Sequence, residues 1–386
     1  LHRFSHSNRN RPAEYMHMLQ PDATTMTAQF DTSWPAFPVP LRDPARAALG
    51  GQLYAGLGSA GTAWYRLDTA HRAAGWQRLA DFPGTAPAGA ACAASGQCLY
   101  VFGGAITPAG HAAQQSAAVW RYDSVANRWQ ALDLPLPLGL LGASALAQAD
   151  GSIVLFGGYH RAQFDAFCTA HAAASELERP AILRAYMARP VAAFEWNRHQ
   201  WRFDPRNGTL QDEGALPLAG TCGAVAIDAN GAAILASGEI KPGLRTPLAW
   251  HARRDGNGWD RHALPATAPG VPQEGVAAAF GGLCGGMPVL AGGTHFIGAS
   301  ANYAQQQLHA HAGLAKSWRR ELYGFAGGQW RLLGMLPAAR AHGLSFQVGN
   351  SLLLVGGDTD GGAATLETLA ITLSNGSGHD TVSYPA

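Results

Sequence analysis

Leu99-Tyr100-Val101-Phe102-Gly103-Gly104 is an apolar run that stops at a glycine pair. It returns as Ile153-Val154-Leu155-Phe156-Gly157-Gly158, as Val289-Leu290-Ala291-Gly292-Gly293 and as Leu353-Leu354-Val355-Gly356-Gly357. Two degenerate copies, Leu53-Tyr54-Ala55-Gly56-Leu57-Gly58 and Ile234-Leu235-Ala236-Ser237-Gly238-Glu239, complete a set of six. The copy ending in Glu239 breaks the rule by placing a carboxylate where glycine is expected, which marks a candidate active site. Six copies of one unit point to a radial repeat, in which each unit buries its faces only against its neighbours.

The same grammar surrounds each copy. A small-residue strand precedes it (Gly89-Ala90-Ala91-Cys92-Ala93), joined by the turn Ser95-Gly96-Gln97. A strand carrying aromatics and Asp follows, Val119-Trp120-Arg121-Tyr122-Asp123, then a Trp strand, Arg128-Trp129-Gln130-Ala131-Leu132, that closes in a proline. The Trp-to-Pro interval recurs at Trp76 to Pro83, Trp259 to Pro265 and Trp330 to Pro337, with Leu210 replacing Trp before Pro217. Four strands per unit with Gly-Gly, Tyr-Asp and Trp describe a kelch blade, so the expected fold is all-β, a six-bladed kelch β-propeller. Glycine allows close packing near the crowded axis, and Trp and Tyr fill the wide gaps between blades. Trp34 to Pro40 reads as a lone Trp strand, expected to complete the last blade and close the ring, which removes an exposed edge. Residues 1–30, polar and rich in His, Arg and Asn, read as a disordered leader, with 31–386 as a single propeller.

The spacing of the glycine pairs is uneven. Eighty residues separate Gly158 from Gly238, against 46 between Gly58 and Gly104. The excess, Gln163 to Phe194, and a second insertion, Ser300 to Lys316, both have helical character. Both leave from the loop after the second strand, which in a propeller lies on the channel-mouth face, so they read as a lid or a pocket wall.

Charge is sparse and balanced, 27 basic against 26 acidic residues, and no basic stripe exists, which argues against a nucleic-acid partner. No stretch has the length and apolarity to span a membrane. Lys241 and Lys316 are the two lysines among the basic residues, a bias that reads as codon usage. The five cysteines (Cys92, Cys98, Cys168, Cys222, Cys284) lack metal-ligand spacing and read as buried thiols. The leader has no apolar signal core, which taken alone predicts a cytoplasmic location.

Gly238-Glu239-Ile240-Lys241-Pro242-Gly243-Leu244-Arg245-Thr246 sets a carboxylate six residues before a guanidinium on a Pro-Gly turn. Two readings stand: Glu239 as a general base beside Arg245 as a fork for a substrate carboxylate, or a loop salt bridge. Gly56 to Trp64 has no following Lys and no helix start, so it reads as a polar pocket rim carrying Ser59 and Thr62, and not as a phosphate loop. Arg340 and His342 begin the innermost strand of the last unit, and His160, His295 and Asp358 follow glycine pairs; all could line the mouth or be ordinary surface residues. His309-Ala310-His311 has no third ligand at useful spacing, so no metal is expected.

With these motifs on the page, the chain resembles the bacterial N-acetylneuraminate epimerases, six-bladed kelch propellers also called sialic acid mutarotases. Gly56 to Tyr65, Lys241 to Thr246, and Asn302-Tyr303 with Ala312-Gly313-Leu314 carry the resemblance, which runs from about Trp34 to the C-terminus. It implies interconversion of the α and β anomers of N-acetylneuraminate, a small acidic sugar, without a cofactor, with Glu239 as proton acceptor and Arg245 as its essential neighbour. It also implies export, and sugar contacts from the second insert, where Asn302 and Tyr303 stand among diverged residues. A mutarotase for another acidic sugar and a non-catalytic kelch binding module remain the competing readings. A copper-radical oxidase would need a Tyr–Cys pair with two His ligands, which cannot be assembled here.

Overall fold

The computed structural model describes residues 26–375. Among them lie six four-stranded antiparallel sheets arranged as the blades of a propeller. Blade 1 contains Ala45–Leu49, Gln52–Gly56, Trp64–Asp68 and Gln77–Arg78. Blade 2 contains Ala91–Ser95, Cys98–Phe102, Val119–Asp123 and Arg128–Leu132; blade 3 contains Ser144–Ala147, Ile153–Phe156, His199–Asp204 and Thr209–Ala215. Blades 4 and 5 begin at Val225–Asp228 and Phe280–Cys284, and blade 6 at Leu344–Val348.

The apolar runs are the second strands, and they are buried on both faces because each blade is covered on both sides. Cys98–Phe102 and Ile153–Phe156 are buried at every residue. The core among the described residues accordingly has one cluster per blade interface, six in all, and two smaller clusters with the inserts. Leu99, Val101 and Tyr122 of blade 2 pack on Tyr54 and Trp64 of blade 1. Tyr100 and Phe102 of the same sheet face Ile153, Leu155 and Phe203 of blade 3. Alternation along one strand thus serves two interfaces.

The ring closes with an N-terminal strand, but not the expected one. Met26–Asp31 pairs antiparallel with Thr368–Asn375 as the outer strand of blade 6. Residues 34–40 are the connection that follows, with Phe37 buried against Tyr65 and Trp76. Phe37 N–H donates to Leu366 O at 2.7 Å, as Leu136 N–H does to Ala117 O in blade 2. Trp34 to Pro40 therefore matches the segment that ends an outer strand, and the strand itself lies just before it. Residues 26–30, expected in the leader, belong to this strand; the rest of that segment lies outside the described residues.

A second correction concerns the glycine pair. Both members take the left-handed conformation, at φ +63° and +84° for Gly103-Gly104 and +68° and +101° for Gly157-Gly158. In blade 4 those places fall to Ser237 (φ +61°) and Gly238 (φ +102°). Ser237, not Glu239, is the glycine replacement; Glu239 is the first residue beyond the pair. Buried Ser237 offsets its backbone strain by accepting from Val276 N–H at 2.7 Å and donating to Thr246 O at 2.7 Å.

At the channel mouth the blades are tied by a closed cycle of backbone hydrogen bonds. Asp43 N–H donates to His342 O, His342 to Ala278, Ala278 to Gly223, Gly223 to Gly142, Gly142 to Gly89, and Gly89 back to Asp43, all at 2.8–3.0 Å. Every member has positive φ, between +50° and +70°. Three positions are glycine, which pays no steric penalty there; Asp43, Ala278 and His342 carry side chains despite it.

Both insertions are helical and leave after a second strand, as expected. The first holds α1 (Arg161–Ala173) and α2 (Arg179–Met187); the second holds α3 (Ala299–Ala304). Ser175 N–H and Oγ both bond the Glu178 carboxylate in a capping turn ahead of α2. All five cysteines are free. No helix among the described residues is long and apolar enough to cross a membrane.

A Cβ added at Gly103 would lie 1.8 Å from Gly139 O in the next inter-blade loop, whereas one added at Gly110 would meet nothing within 4 Å. Both glycines have positive φ. Gly103→Ala is expected to lose well over 2 kcal/mol in urea unfolding, and Gly110→Ala only about 1 kcal/mol.

Candidate active site

Glu239 and Arg245 meet because Pro242-Gly243 folds the chain into a small hairpin, Glu239–Lys241 against Leu244–Arg245, with Glu239 and Arg245 as register partners. Opposed residues of a hairpin share a face. Arg245 Nη2 lies 3.0 Å from Glu239 Oε1, which also accepts from Gly243 N–H at 3.2 Å. The guanidinium is otherwise fixed by Nε to Thr294 O (3.2 Å) and by Phe296, whose ring lies 4.7 Å below its Cζ. Nη1 is buried and has no hydrogen-bond partner among the described residues.

Both residues line a cavity of about 540 Å³ on the propeller axis. The six members of the hydrogen-bonded cycle line it too, together with Arg46, Tyr159, Phe164 of α1, Cys222, Thr294 and Lys316. Its charged lining is Arg46, Arg245 and Lys316 against Asp43 and Glu239. One surplus positive charge in a cavity of small-molecule size suits an anionic ligand. Burial and the Glu239 carboxylate hold the Tyr159 phenol well above its usual pKa, so Tyr159 keeps its proton; the same two causes keep the Cys222 thiol protonated.

A second constellation sits on the cycle itself. His342 Nδ1 is 2.8 Å from Asp43 Oδ1, and His342 Nε2 is 3.0 Å from Lys316 Nζ. The cavity setting opposes ionisation of Asp43, but the hydrogen bond from His342, with the charges of Arg42 and Lys316, carries its carboxyl below the usual range.

Of the residues singled out from sequence, Glu239, Arg245 and His342 line the cavity. The others do not, and each has a local reason. Ser59 Oγ donates to Pro40 O and accepts from Arg42 N–H, pinning the inter-blade segment; Thr62 accepts from Phe82 N–H through its backbone. Arg340 is buried in an ion pair with Glu367 at 2.6 Å. His295 is buried beside Thr294, and burial, then Arg319, lower it to about 4, so it stays neutral. His160 leads into α1, and Asp358 accepts from Trp318 Nε1. Asn302 Nδ2 bonds Ala310 O, and Tyr303 OH accepts from Val191 N–H, so these two hold the second insert together and to the first.

Sequence reasoning missed Asp43, Arg46, Tyr159 and both lysines. Lys241 is fully buried and its Nζ donates to Met187 O (2.8 Å), Arg189 O (2.5 Å) and Leu308 O (2.6 Å). It fastens both inserts to the Glu239 hairpin. Burial, with Arg189, lowers it to about 8, so the ammonium persists at neutral pH. A signal for Asp43 existed: it precedes its inner strand as Gly89, Gly142 and Gly223 precede theirs.

The fold and site together define a kelch-type propeller enzyme with a carboxylate–guanidinium pair in its axial cavity. The N-acetylneuraminate epimerase family model matches residues 34–377, and the chain belongs to that family. The N-acetylneuraminate epimerase of Brucella melitensis biotype 1 is 39% identical over 348 residues, covering 88% of this chain and 90% of that protein. That of Yersinia pestis is 36% identical over 353 residues, covering 90% of each. A solved structure of YjhT superposes with a TM-score of 0.83 at 32% identity, covering 89% of this chain and 99% of that one.

Lys241→Met removes the donor from three half-buried carbonyls, an expected loss of about 1–3 kcal/mol for each of them that water does not reach. Limited proteolysis near exposed Leu177, between α1 and α2, should accelerate severalfold, with blade strands protected as in the unaltered chain.

Proposed function

We propose that the protein interconverts the α and β anomers of N-acetylneuraminate by opening and reclosing the sugar ring. The observation that carries this reading is the Glu239–Arg245 pair in a cavity of net positive charge, with Arg245 Nη1 buried and uncommitted. Family membership and the names of the relatives support the choice of sugar.

The chemistry needs a base, a proton donor and an anchor for the sugar's carboxylate. Glu239 takes the proton of the anomeric hydroxyl through Oε2, since Oε1 is engaged by Arg245 and Gly243. The bond from the anomeric carbon to the ring oxygen breaks, and its electron pair goes to that oxygen, which gains a proton. The open keto acid turns about one bond, and the hydroxyl adds to the other face of the carbonyl. Arg245 Nη1 and the cavity's surplus charge hold the carboxylate throughout. One carboxylate can serve both directions, as a reversible reaction requires.

Proton NMR of freshly released α-N-acetylneuraminate, corrected for spontaneous mutarotation, tests the reading. The unaltered protein should accelerate appearance of the β anomer, and Glu239→Gln should reduce that acceleration by about 10²–10⁴-fold. No acceleration by folded, unaltered protein would exclude this sugar and turn attention to other acidic sugars.

A further inference from the structure

We infer that Lys316, held by His342 and Asp43, is the acid that protonates the ring oxygen. This rests on the ring-opening reading above and supplies the proton donor it lacks.

The geometry is a directed chain. An ammonium can only donate, so Lys316 Nζ donates to His342 Nε2 (3.0 Å), and His342 must then carry its proton on Nδ1 and donate it to Asp43 Oδ1 (2.8 Å). Lys316 reaches the cavity from the strand Lys316–Trp318 that closes the second insert, while Glu239 comes from blade 4. Asp43 and His342 are consecutive members of the backbone cycle and occupy left-handed positions, φ +50° and +60°, that glycine fills in three of the six places. Side chains kept at positions that favour glycine, adjacent and bonded to one another, mark strain retained at a functional site.

The protons balance without solvent. In ring opening Glu239 gains the hydroxyl proton and the ring oxygen takes one from the Lys316 ammonium, leaving a neutral acid and a neutral amine. In reclosure the amine recovers the proton from the sugar hydroxyl, and Glu239 returns its own to the carbonyl oxygen. Replacing two charges by two neutral groups is favourable where burial penalises the charged form, as it does for Lys316. Burial, with Arg42 and Arg245, eases release of the Lys316 proton; Asp358 and Glu239 oppose it, and His342 and the Trp318 ring (4.9 Å) also face the ammonium. Tyr159 and Cys222, the other proton-bearing groups in this lining near Glu239, are pushed the opposite way and hold their protons.

The test compares steady-state anomer kinetics across pH for the unaltered protein, Lys316→Met, Lys316→Arg, His342→Asn and Tyr159→Phe, with circular dichroism to establish folding. Both Lys316 variants should lose about 100-fold in kcat and the basic limb of the pH profile. Lys316→Arg, which keeps charge and stem but does not release its proton, should hold KM within about threefold and answers for the site if Lys316→Met fails to fold. His342→Asn, lacking the Nε2 acceptor, should move the basic limb to lower pH by about one unit. Full kcat in Lys316→Arg, or a raised KM alone in Lys316→Met, would reduce Lys316 to a carboxylate anchor and overturn the inference. Loss of the basic limb in Tyr159→Phe instead would transfer the role to the phenol. An unaltered protein without activity would overturn the ring-opening reading itself, a result distinct from either.

Discussion

Six peptide N–H groups at the channel mouth, each donating to a carbonyl of the neighbouring blade, set the constraint on which the rest of this structure depends. A closed cycle needs all six residues in the left-handed region at once, and that conformation is accessible to few side chains. The cycle fixes where each innermost strand begins, and hence the register of every blade against the axis. It also leaves little freedom for chemistry at those positions. Asp43 and His342 are placed there with their backbone already committed, so their side chains are aimed by the ring rather than by a loop.

The second layer of organisation is polar and lies above that ring. The hairpin holding Glu239 and Arg245 has little core of its own; Leu244 packs with α3 residue Ala299 and with Ala310. Lys241 joins it to both inserts through three carbonyls, and buried Glu274 bonds the Gly298 and Ser300 N–H groups at the start of α3. An ammonium has three donors in fixed directions, which suits one junction of three chain segments. The precision of the carboxylate–guanidinium pair therefore rests on a buried charge some distance from it.

Much of the fold was legible because a propeller repeats its own signal. The apolar strand, the glycine pair, the Trp strand and the proline each recur in phase, and six copies outweigh the ambiguity of any one. The errors came where a copy is degenerate. Ser237 keeps the left-handed backbone with a side chain that bonds Val276 and Thr246, so the repeat looked broken two residues too late. The closing strand has none of the repeat's markers, and the Trp34 to Pro40 segment after it has several. Among site residues, Glu239 and Arg245 were legible because one local turn brings them together. Ser59, Thr62 and Arg340 were misplaced because a polar residue beside a conspicuous motif bonds the backbone as readily as it faces a cavity.

By itself the sequence determined the number of blades, the strands that fill the space between them, the faces the two inserts leave from and the local pairing of Glu239 with Arg245. These follow from periodicity and turn chemistry, which act over a few residues. Only the tertiary structure decided that Asp43 and His342, 299 positions apart, share a hydrogen bond, that Lys316 joins them, and that Lys241 clasps the inserts. Ring closure is the physical reason: it brings the first and last blades side by side, and no pattern within one repeat encodes which side chains then meet across the seam.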